Sequence, residues 1–151
     1  MIRAVAIAAL VLAAGAAAVQ AGGPPRVVAT DRDGRTVAEL AADRGFALAY
    51  RHSYYRRPAV ERFRVGDDNS FRLVEISSPS QAVLDYYEVE GRRSRRGGWW
   101  TLTLARPARF ERMPLVATAV GRRTLVAEGR RVPLFERDGR AAHLTIAVEG
   151  S

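Results

Sequence analysis

Turn signals recur at short intervals along most of the chain, and the segments between them are short. Three signals are strong: Asp33-Gly34, Gly129 and Asp138-Gly139. The two-residue turns that suit antiparallel hairpins need positive φ, which glycine adopts without steric cost. We therefore expect hairpins that join residues 26–30 to 35–40, residues 123–127 to 131–134, and residues 132–135 to 142–148.

Alternation of apolar and polar residues supports strands between these turns. Trp100, Leu102 and Leu104 share one parity, and the last segment places Ala142, Leu144, Ile146 and Val148 on one face. Residues 71–77 and 83–90 alternate less cleanly, which predicts bulges or burial on both faces. Only residues 36–44 have helical spacing, and they allow at most one short helix. We predict an all-β domain, a single antiparallel β-sandwich or partly closed barrel of about nine to eleven short strands.

The N-terminus has the pattern of an export signal. Arg3 precedes an uncharged apolar run over residues 4–19, and Val19-Gln20-Ala21 offers small residues for cleavage. The run is shorter than the about 20 residues of a membrane-spanning helix. We expect a signal-peptide helix at 1–21, a short linker at 22–26 and a single β domain at 27–151. The mature protein would be periplasmic or extracellular, with an uncleaved N-terminal anchor as the alternative.

The inventory of metal ligands and nucleophiles is small. The chain has no cysteine and two histidines, so disulfides and thiolate chemistry are excluded and a zinc site would need mostly carboxylates. The sequence contains no glycine-rich phosphate loop and no nucleophile elbow. We therefore expect no metal and no cofactor.

The positive charge comes entirely from arginine. All 24 basic residues are arginine against 16 acidic residues, giving a net charge of +8. Such a complete bias is typical of GC-rich coding, so the arginine count alone does not indicate a phosphate-binding function. The basic stretch at residues 91–98 precedes Trp99-Trp100, and we expect it to be an exposed loop. Arg92, Arg93, Arg95 and Arg96 are candidates for weak attraction to anionic membrane surfaces, whereas export argues against a nucleic-acid partner.

Residues 46–65 predict a hairpin that places two ionisable side chains on an apolar face. Tyr50 and His52 share a face on the first strand, as do Glu61 and Phe63 on the second. A turn at Arg56-Arg57 would set His52 opposite Glu61, Tyr50 opposite Phe63, and Leu48 opposite Val65.

A buried imidazole beside a carboxylate has two interpretations. The first is functional: the pair is a general base oriented by an acid, or it recognises a ligand. The second is structural: the pair fixes the register of the hairpin. Ser53 follows His52 in the strand and faces the other way, so a Ser–His dyad is not expected. Tyr50 and Tyr86 are candidates to line the same pocket. A hydrolase would need a third polar group, for which Ser78, Asp85 and Tyr86 are available.

Several of these residues resemble a known family pattern. Tyr50-Arg51-His52-Ser53, followed by Pro58 and Glu61, is similar to the opening motif of domain of unknown function 1850. Residues 71–75, 85–87 and 121–125 also resemble members, so the resemblance covers about residues 27–148.

The resemblance implies no biochemical activity, since none is assigned to the family. It implies an exported or membrane-associated protein, encoded beside or joined to components of tripartite ATP-independent periplasmic transporters. The leading hypothesis is a non-enzymatic extracytoplasmic accessory or binding module, with transporter solute-binding or membrane subunits and a small-molecule solute as partners. One alternative is a small hydrolase or lyase using His52 and Glu61. A second is an arginine-rich binder of anionic cell-envelope surfaces.

Overall fold

The structure is a computed structural model that describes residues 23–136 and 138–150. Within them lie eleven strands and one short helix. They are β1 (Arg26–Thr30), β2 (Thr36–Ala41), β3 (Phe46–Arg51), β4 (Pro58–Val65), β5 (Phe71–Ser78), α1 (Gln81–Asp85), β6 (Gly91–Arg96), β7 (Trp99–Phe110), β8 (Arg112–Ala117), β9 (Thr124–Ala127), β10 (Arg130–Pro133) and β11 (Ala142–Glu149). The predicted signal peptide at 1–21 lies outside the described residues. No helix in the described ranges has the length and apolar character needed to span a membrane.

The strands form two antiparallel sheets. One has four strands in the order β2-β1-β11-β8, and the other has seven in the order β10-β9-β3-β4-β5-β7-β6. Neither sheet closes on itself. The predicted all-β fold is confirmed. Of the two predicted architectures, a sandwich or a partly closed barrel, the protein has the sandwich.

The main hydrophobic core lies between the two sheets. The four-stranded sheet contributes Leu40, Leu144 and Ile146, while the seven-stranded sheet contributes Leu48 and Leu125. A cluster of phenylalanines from the seven-stranded sheet packs into this core, with neighbouring ring centroids 4.8 to 6.4 Å apart; it consists of Phe46, Phe63, Phe71 and Phe110. The inner face of each sheet is the face that carries these core residues, and the outer face is the opposite one.

A second, smaller core lies beneath the helix. Val83 and Leu84 of α1 are buried against Ile76 and Leu102 of the seven-stranded sheet. The prediction that residues 83–90 alternate as a strand is wrong. Adjacent residues of a strand point to opposite faces, whereas one turn of helix can bury both Val83 and Leu84 on the same surface.

Two of the three predicted hairpins are confirmed. β1 pairs with β2 across Asp33-Gly34, so the helical spacing at residues 36–44 does not produce a helix. β9 pairs with β10 across Glu128 and Gly129, whose φ values are 45° and 73°. The third hairpin, across Asp138-Gly139, is wrong because β10 and β11 belong to different sheets. The turn forms locally, but it lies in a connection between the layers.

The arginine-rich stretch is a strand rather than a loop. β6 is the edge strand of the seven-stranded sheet, and Gly97 and Gly98 form the turn to β7 with φ of 55° and 81°. All of β6 is exposed, as predicted for its four arginines. Arg93 forms an ion pair with Asp85 at 2.6 Å, and the Arg95 guanidinium lies 5.1 Å from the centroid of the Trp100 ring.

The predicted register of the β3–β4 hairpin is wrong. Leu48 lies opposite Glu61, and Tyr50 lies opposite Ala59. The chain turns earlier than expected because Arg56 adopts φ of 55° and its amide donates to the His52 carbonyl at 2.8 Å. The His52 amide in turn donates to the Arg57 carbonyl at 2.8 Å, so His52 and Glu61 are not cross-strand neighbours. The predicted faces of the two strands are nevertheless right. The observed register differs from the predicted one by an even number of residues, and an even shift leaves each side chain on the same face of the sheet.

Candidate functional site

A cavity of about 400 Å³ opens at one end of the sandwich, beside α1. Both sheets contribute to its walls, because β3, β4 and the end of β8 all reach it. Arg51, Ser53 and Thr118 contribute to its lining, and the residues considered as a site are Tyr50, His52, Glu61, Tyr86, Tyr87 and Arg123. Three of them, His52, Glu61 and Tyr50, were predicted to share a face, and the cavity brings them together with three residues from distant parts of the chain.

Glu61 is a carboxylate held on the inner face of a sheet. Its neighbours on the adjacent strands are Leu48 and Ile76, which are both fully buried. Only 13% of the Glu61 side chain is exposed. A carboxylate in such surroundings is costly unless it is hydrogen-bonded or paired. Tyr87 meets this need by donating its hydroxyl proton to Glu61 Oε1 at 2.6 Å.

Two tyrosines form a hydrogen-bonded chain that ends on Glu61. The hydroxyls of Tyr50 and Tyr87 are in contact. Because the single proton of Tyr87 goes to Glu61, Tyr50 must be the donor to Tyr87. Burial, followed by the charge of Glu61, raises the pKa of Tyr50 to about 12 and raises the pKa of Tyr87 as well. Both groups therefore remain protonated donors at neutral pH.

Arg123 brings a positive charge next to this chain. It shares the inward parity of Leu125 and Ala127 on β9, and its side chain is 26% exposed. The guanidinium lies 4.7 Å from the Tyr50 ring centroid and 3.7 Å from Glu61 Oε2. The second distance is beyond hydrogen-bonding range, so Glu61 does not occupy the donors of Arg123. A fully buried side-chain nitrogen without a hydrogen-bond partner occurs nowhere in the described residues. The guanidinium nitrogens of Arg123, which have no such partner, are therefore accessible to a ligand in the cavity.

His52 follows β3 directly and is 5% exposed. Its Nδ1 accepts a hydrogen bond from the Tyr55 amide at 3.3 Å, which places the proton of the neutral ring on Nε2. The Tyr86 ring meets the imidazole edge-on, with centroids 4.7 Å apart. Burial lowers the pKa of His52 below its ordinary value of 6.5. His52 and Glu61 line the same cavity, but no hydrogen bond joins them in the described structure.

The remaining candidates from the sequence have varied positions. Tyr86 and Ser53 both line the cavity, and Tyr86 is 62% exposed. The Ser78 hydroxyl donates to the Pro58 carbonyl at 2.7 Å and accepts from the Ser80 amide at 3.1 Å, so it joins β4 to the start of α1. Asp85 is paired with Arg93 outside the cavity. Of the three proposed third groups for a hydrolase, only Tyr86 lines the site.

Sequence reasoning missed Arg123 and Tyr87 as site residues. A signal for Arg123 was present, since an arginine at the inward parity of an apolar strand needs a partner or a ligand. Tyr87 lacks such a signal, because its position depends on the unpredicted helix. No cluster of three or more metal-ligating side chains occurs in residues 23–136 or 138–150.

Removing the hydroxyl of Tyr87 tests whether the chain of hydrogen bonds stabilises the site. We expect Tyr87→Phe to lower the free energy of unfolding by about 1 to 3 kcal/mol, because Glu61 Oε1 loses its donor in half-buried surroundings. Tyr54 is 76% exposed, so Tyr54→Phe is the matched control and should have no measurable effect. Urea unfolding of the two variants measures the difference. Equal stability of both variants would show that the hydrogen bond contributes nothing.

The lowered pKa of His52 predicts a pH dependence of stability. Unfolded His52 titrates near 6.5 and folded His52 at lower pH, so below about 6.5 the unfolded state binds more protons. The contribution of this group is therefore fully present above that pH and is lost as the pH falls through the folded pKa. We expect the melting temperature to fall less steeply from about pH 7.5 to pH 5 in His52→Gln than in the wild type. Identical slopes in His52→Gln and the wild type would contradict the assignment.

Comparison with known proteins assigns the chain to a family. The family model described as "Domain of unknown function (DUF1850)" matches residues 46–134, more than half of the chain. This segment contains every residue that lines the cavity. No curated protein and no solved structure matches the chain. The resemblance noted in the sequence is confirmed, and the chain belongs to the DUF1850 family.

Proposed function

We propose that this protein is a non-enzymatic extracytoplasmic binding module that takes a small polar solute into the cavity between its sheets. The observation that carries the proposal is the placement of Glu61 and Arg123 side by side in the cavity at 3.7 Å. Their opposite charges are close enough to act on one small molecule, yet they do not consume each other's hydrogen-bonding capacity.

The chemistry of these groups defines the class of solute. Arg123 can donate to a carboxylate, and Glu61 Oε2 can accept from an ammonium or hydroxyl group. A solute that carries both groups on adjacent atoms, such as an α-amino acid or an α-hydroxy acid, matches the separation of the two side chains. The volume of about 400 Å³ lies within the range of small-molecule sites, about 300 to 1,000 Å³.

The geometry favours binding over acid–base catalysis. A general base needs a partner that orients it toward the reacting atom, and a carboxylate usually has this role for histidine. Here the oriented contact of His52 is with the backbone amide of Tyr55, while Glu61 accepts a hydrogen bond from Tyr87 and lies beside Arg123. His52, with a lowered pKa and an Nε2 proton, is suited to donating one neutral hydrogen bond to a ligand.

The extracytoplasmic location and the link to transport are also part of the proposal. They are supported by the apolar N-terminal run and by the resemblance of the motif residues to proteins associated with tripartite ATP-independent periplasmic transporters. On this proposal the partner is a solute-binding or membrane subunit of such a transporter. Native-level expression followed by co-purification should recover one of these subunits, and repeated failure to do so would argue against the link.

A thermal-shift screen of the purified protein tests solute binding. The panel consists of α-amino acids, α-hydroxy acids, dicarboxylates and neutral sugars. A ligand at 100 times its Kd should stabilise the fold by about 2.7 kcal/mol. We expect stabilisation by a compound that carries a carboxylate beside an ammonium or hydroxyl group, and loss of that stabilisation in Arg123→Gln. Stabilisation by sugars alone, or an equal shift in the variant, would contradict the proposal.

A further inference from the structure

A second hollow, which we call the arginine groove, lies on the outer face of the seven-stranded sheet. Its volume is about 570 Å³. Ala49 and Val60 form its floor, and Trp99, 37% exposed, lies at one side. Four arginines line it: Arg51, Arg56, Arg122 and Arg131. The residues of β3 and β4 alternate between the faces, so the floor of this groove and the cavity beside α1 lie on opposite sides of the same strands. Tyr50 and Arg51, at the end of β3, line both.

The four arginines reach this one groove from separate segments of the chain. They come from the end of β3, the β3–β4 turn, the segment before β9, and β10. No acidic residue lines the groove, and within residues 23–136 and 138–150 none of the four arginines forms an ion pair with a carboxylate. Arg51 Nε donates to the Arg56 carbonyl at 3.1 Å, which ties two of the segments together. Several like charges held together in this way favour binding of an anion.

Two of these arginines occupy positions whose backbone conformation does not favour arginine. Arg56 and Arg122 have φ of 55° and 51°, a region that glycine and asparagine adopt more readily than other residues. Both turns would therefore form more easily with another residue. The long cationic side chains supplied there both reach the groove, and residues in such conformations are concentrated at functional sites.

We propose that the arginine groove binds a ligand that carries phosphate groups. A guanidinium presents a planar fork of donors that matches phosphate oxygens, and each phosphate offers several acceptors to more than one arginine. A single carboxylate would engage only one fork and leave the other arginines uncompensated. A free oligophosphate and the headgroups of anionic lipids share this chemistry. The proposal is independent of solute binding in the inner cavity.

The edge strand β6 provides a control for net charge. Arg92 and Arg96 pair with Thr103 and Trp99 on β7, so they occupy the same outer face at its far edge. They do not line the groove. A double substitution there removes the same charge as a double substitution in the groove.

The test compares Arg56→Asn/Arg122→Asn with Arg92→Gln/Arg96→Gln in the full chain. Asparagine tolerates positive φ, so the groove variant should melt at or above the wild-type temperature. Two probes are used: inorganic pyrophosphate, followed by calorimetric titration at low salt, and phosphatidylglycerol vesicles, followed by co-sedimentation with phosphatidylcholine vesicles as reference. We expect the groove variant to bind at least about tenfold more weakly than the wild type, and the edge variant to stay within about threefold. Arg51 is left unchanged because it lines both cavities.

The two probes distinguish a soluble phosphate ligand from lipid headgroups. Pyrophosphate binding that the groove variant loses supports the site with a soluble ligand. Vesicle binding alone, lost in the same variant, supports it with lipid headgroups as the source. Binding of neither probe by the wild type overturns the proposal, as does an equal loss in both variants, since the effect would then follow net charge alone.

Discussion

Glu61→Gln is expected to weaken solute binding by about tenfold to a hundredfold while shifting the melting temperature by only a few degrees. A hydrogen bond to a charged group contributes about 1.5 to 3 kcal/mol, and each 1.4 kcal/mol corresponds to a factor of ten in Kd. Glutamine keeps a carbonyl oxygen that can accept from Tyr87, so the internal hydrogen bond survives. It loses the negative charge, however, and places an amide where the solute's ammonium or hydroxyl group would bind. Calorimetric titration with a solute from the thermal screen measures the change.

Glu75 supplies the control for this substitution. It lies on the adjacent strand β5, on the outer face, and pairs with Arg62 at 2.7 Å. Glu75→Gln therefore changes the same charge outside the cavity and should leave the Kd unchanged. A large loss of stability in Glu61→Gln, with binding retained by the folded fraction, would show instead that Glu61 is a structural residue.

Phe71→Ala is expected to be the most destabilising single truncation in the domain. Phe71 is fully buried, and its ring lies 5.2 Å from Phe46, 5.7 Å from Phe63 and 5.6 Å from Phe110. Removing a buried phenylalanine side chain costs about 3 to 5 kcal/mol, since both transfer free energy and packing contacts are lost. A domain is stable by only about 5 to 15 kcal/mol, so the melting temperature should fall by more than about 10 °C.

The control is an aromatic residue outside the core. Tyr54 is 76% exposed, and Tyr54→Ala should change the free energy of unfolding by less than about 0.5 kcal/mol. Urea unfolding compares the two variants. Similar losses of unfolding free energy in both variants would show that packing of Phe71 in the core contributes no more to stability than an exposed tyrosine does.

Faces of strands were predictable from this sequence, whereas register was not. Tyr50 shares the parity of Phe46 and Leu48, and Glu61 that of Phe63 and Val65, which is enough to assign both to the inner face. Any even displacement of one strand preserves this pattern, and only the turn decides among the possible registers. The turn here depends on Arg56 at positive φ, and arginine carries no sequence signal for that conformation.

The same distinction between local and distant information applies to Asp138-Gly139. The pair forms a turn, with Gly139 at φ of 85° and the Arg140 amide bonded to Asp138 Oδ1 at 3.0 Å. Local sequence determines that turn, but it does not determine whether the flanking strands belong to one sheet.

The candidate site was partly predictable for a related reason. His52 and Glu61 come from one hairpin, while Arg123 reaches the cavity through the pairing of β9 with β3 and Tyr87 through the packing of α1.

Amide chemical-shift mapping of the ¹⁵N-labelled protein, titrated with the most stabilising solute, locates the solute on the protein. If the cavity between the sheets is the solute site, the largest shifts should fall on His52, Glu61, Tyr87 and Arg123, which line it. Trp99 and Arg131, which line the arginine groove on the outer face, should change little. Saturable shifts centred on the cavity residues are the predicted result. Shifts that leave those residues unchanged and cluster elsewhere would contradict the assignment of the cavity as the binding site.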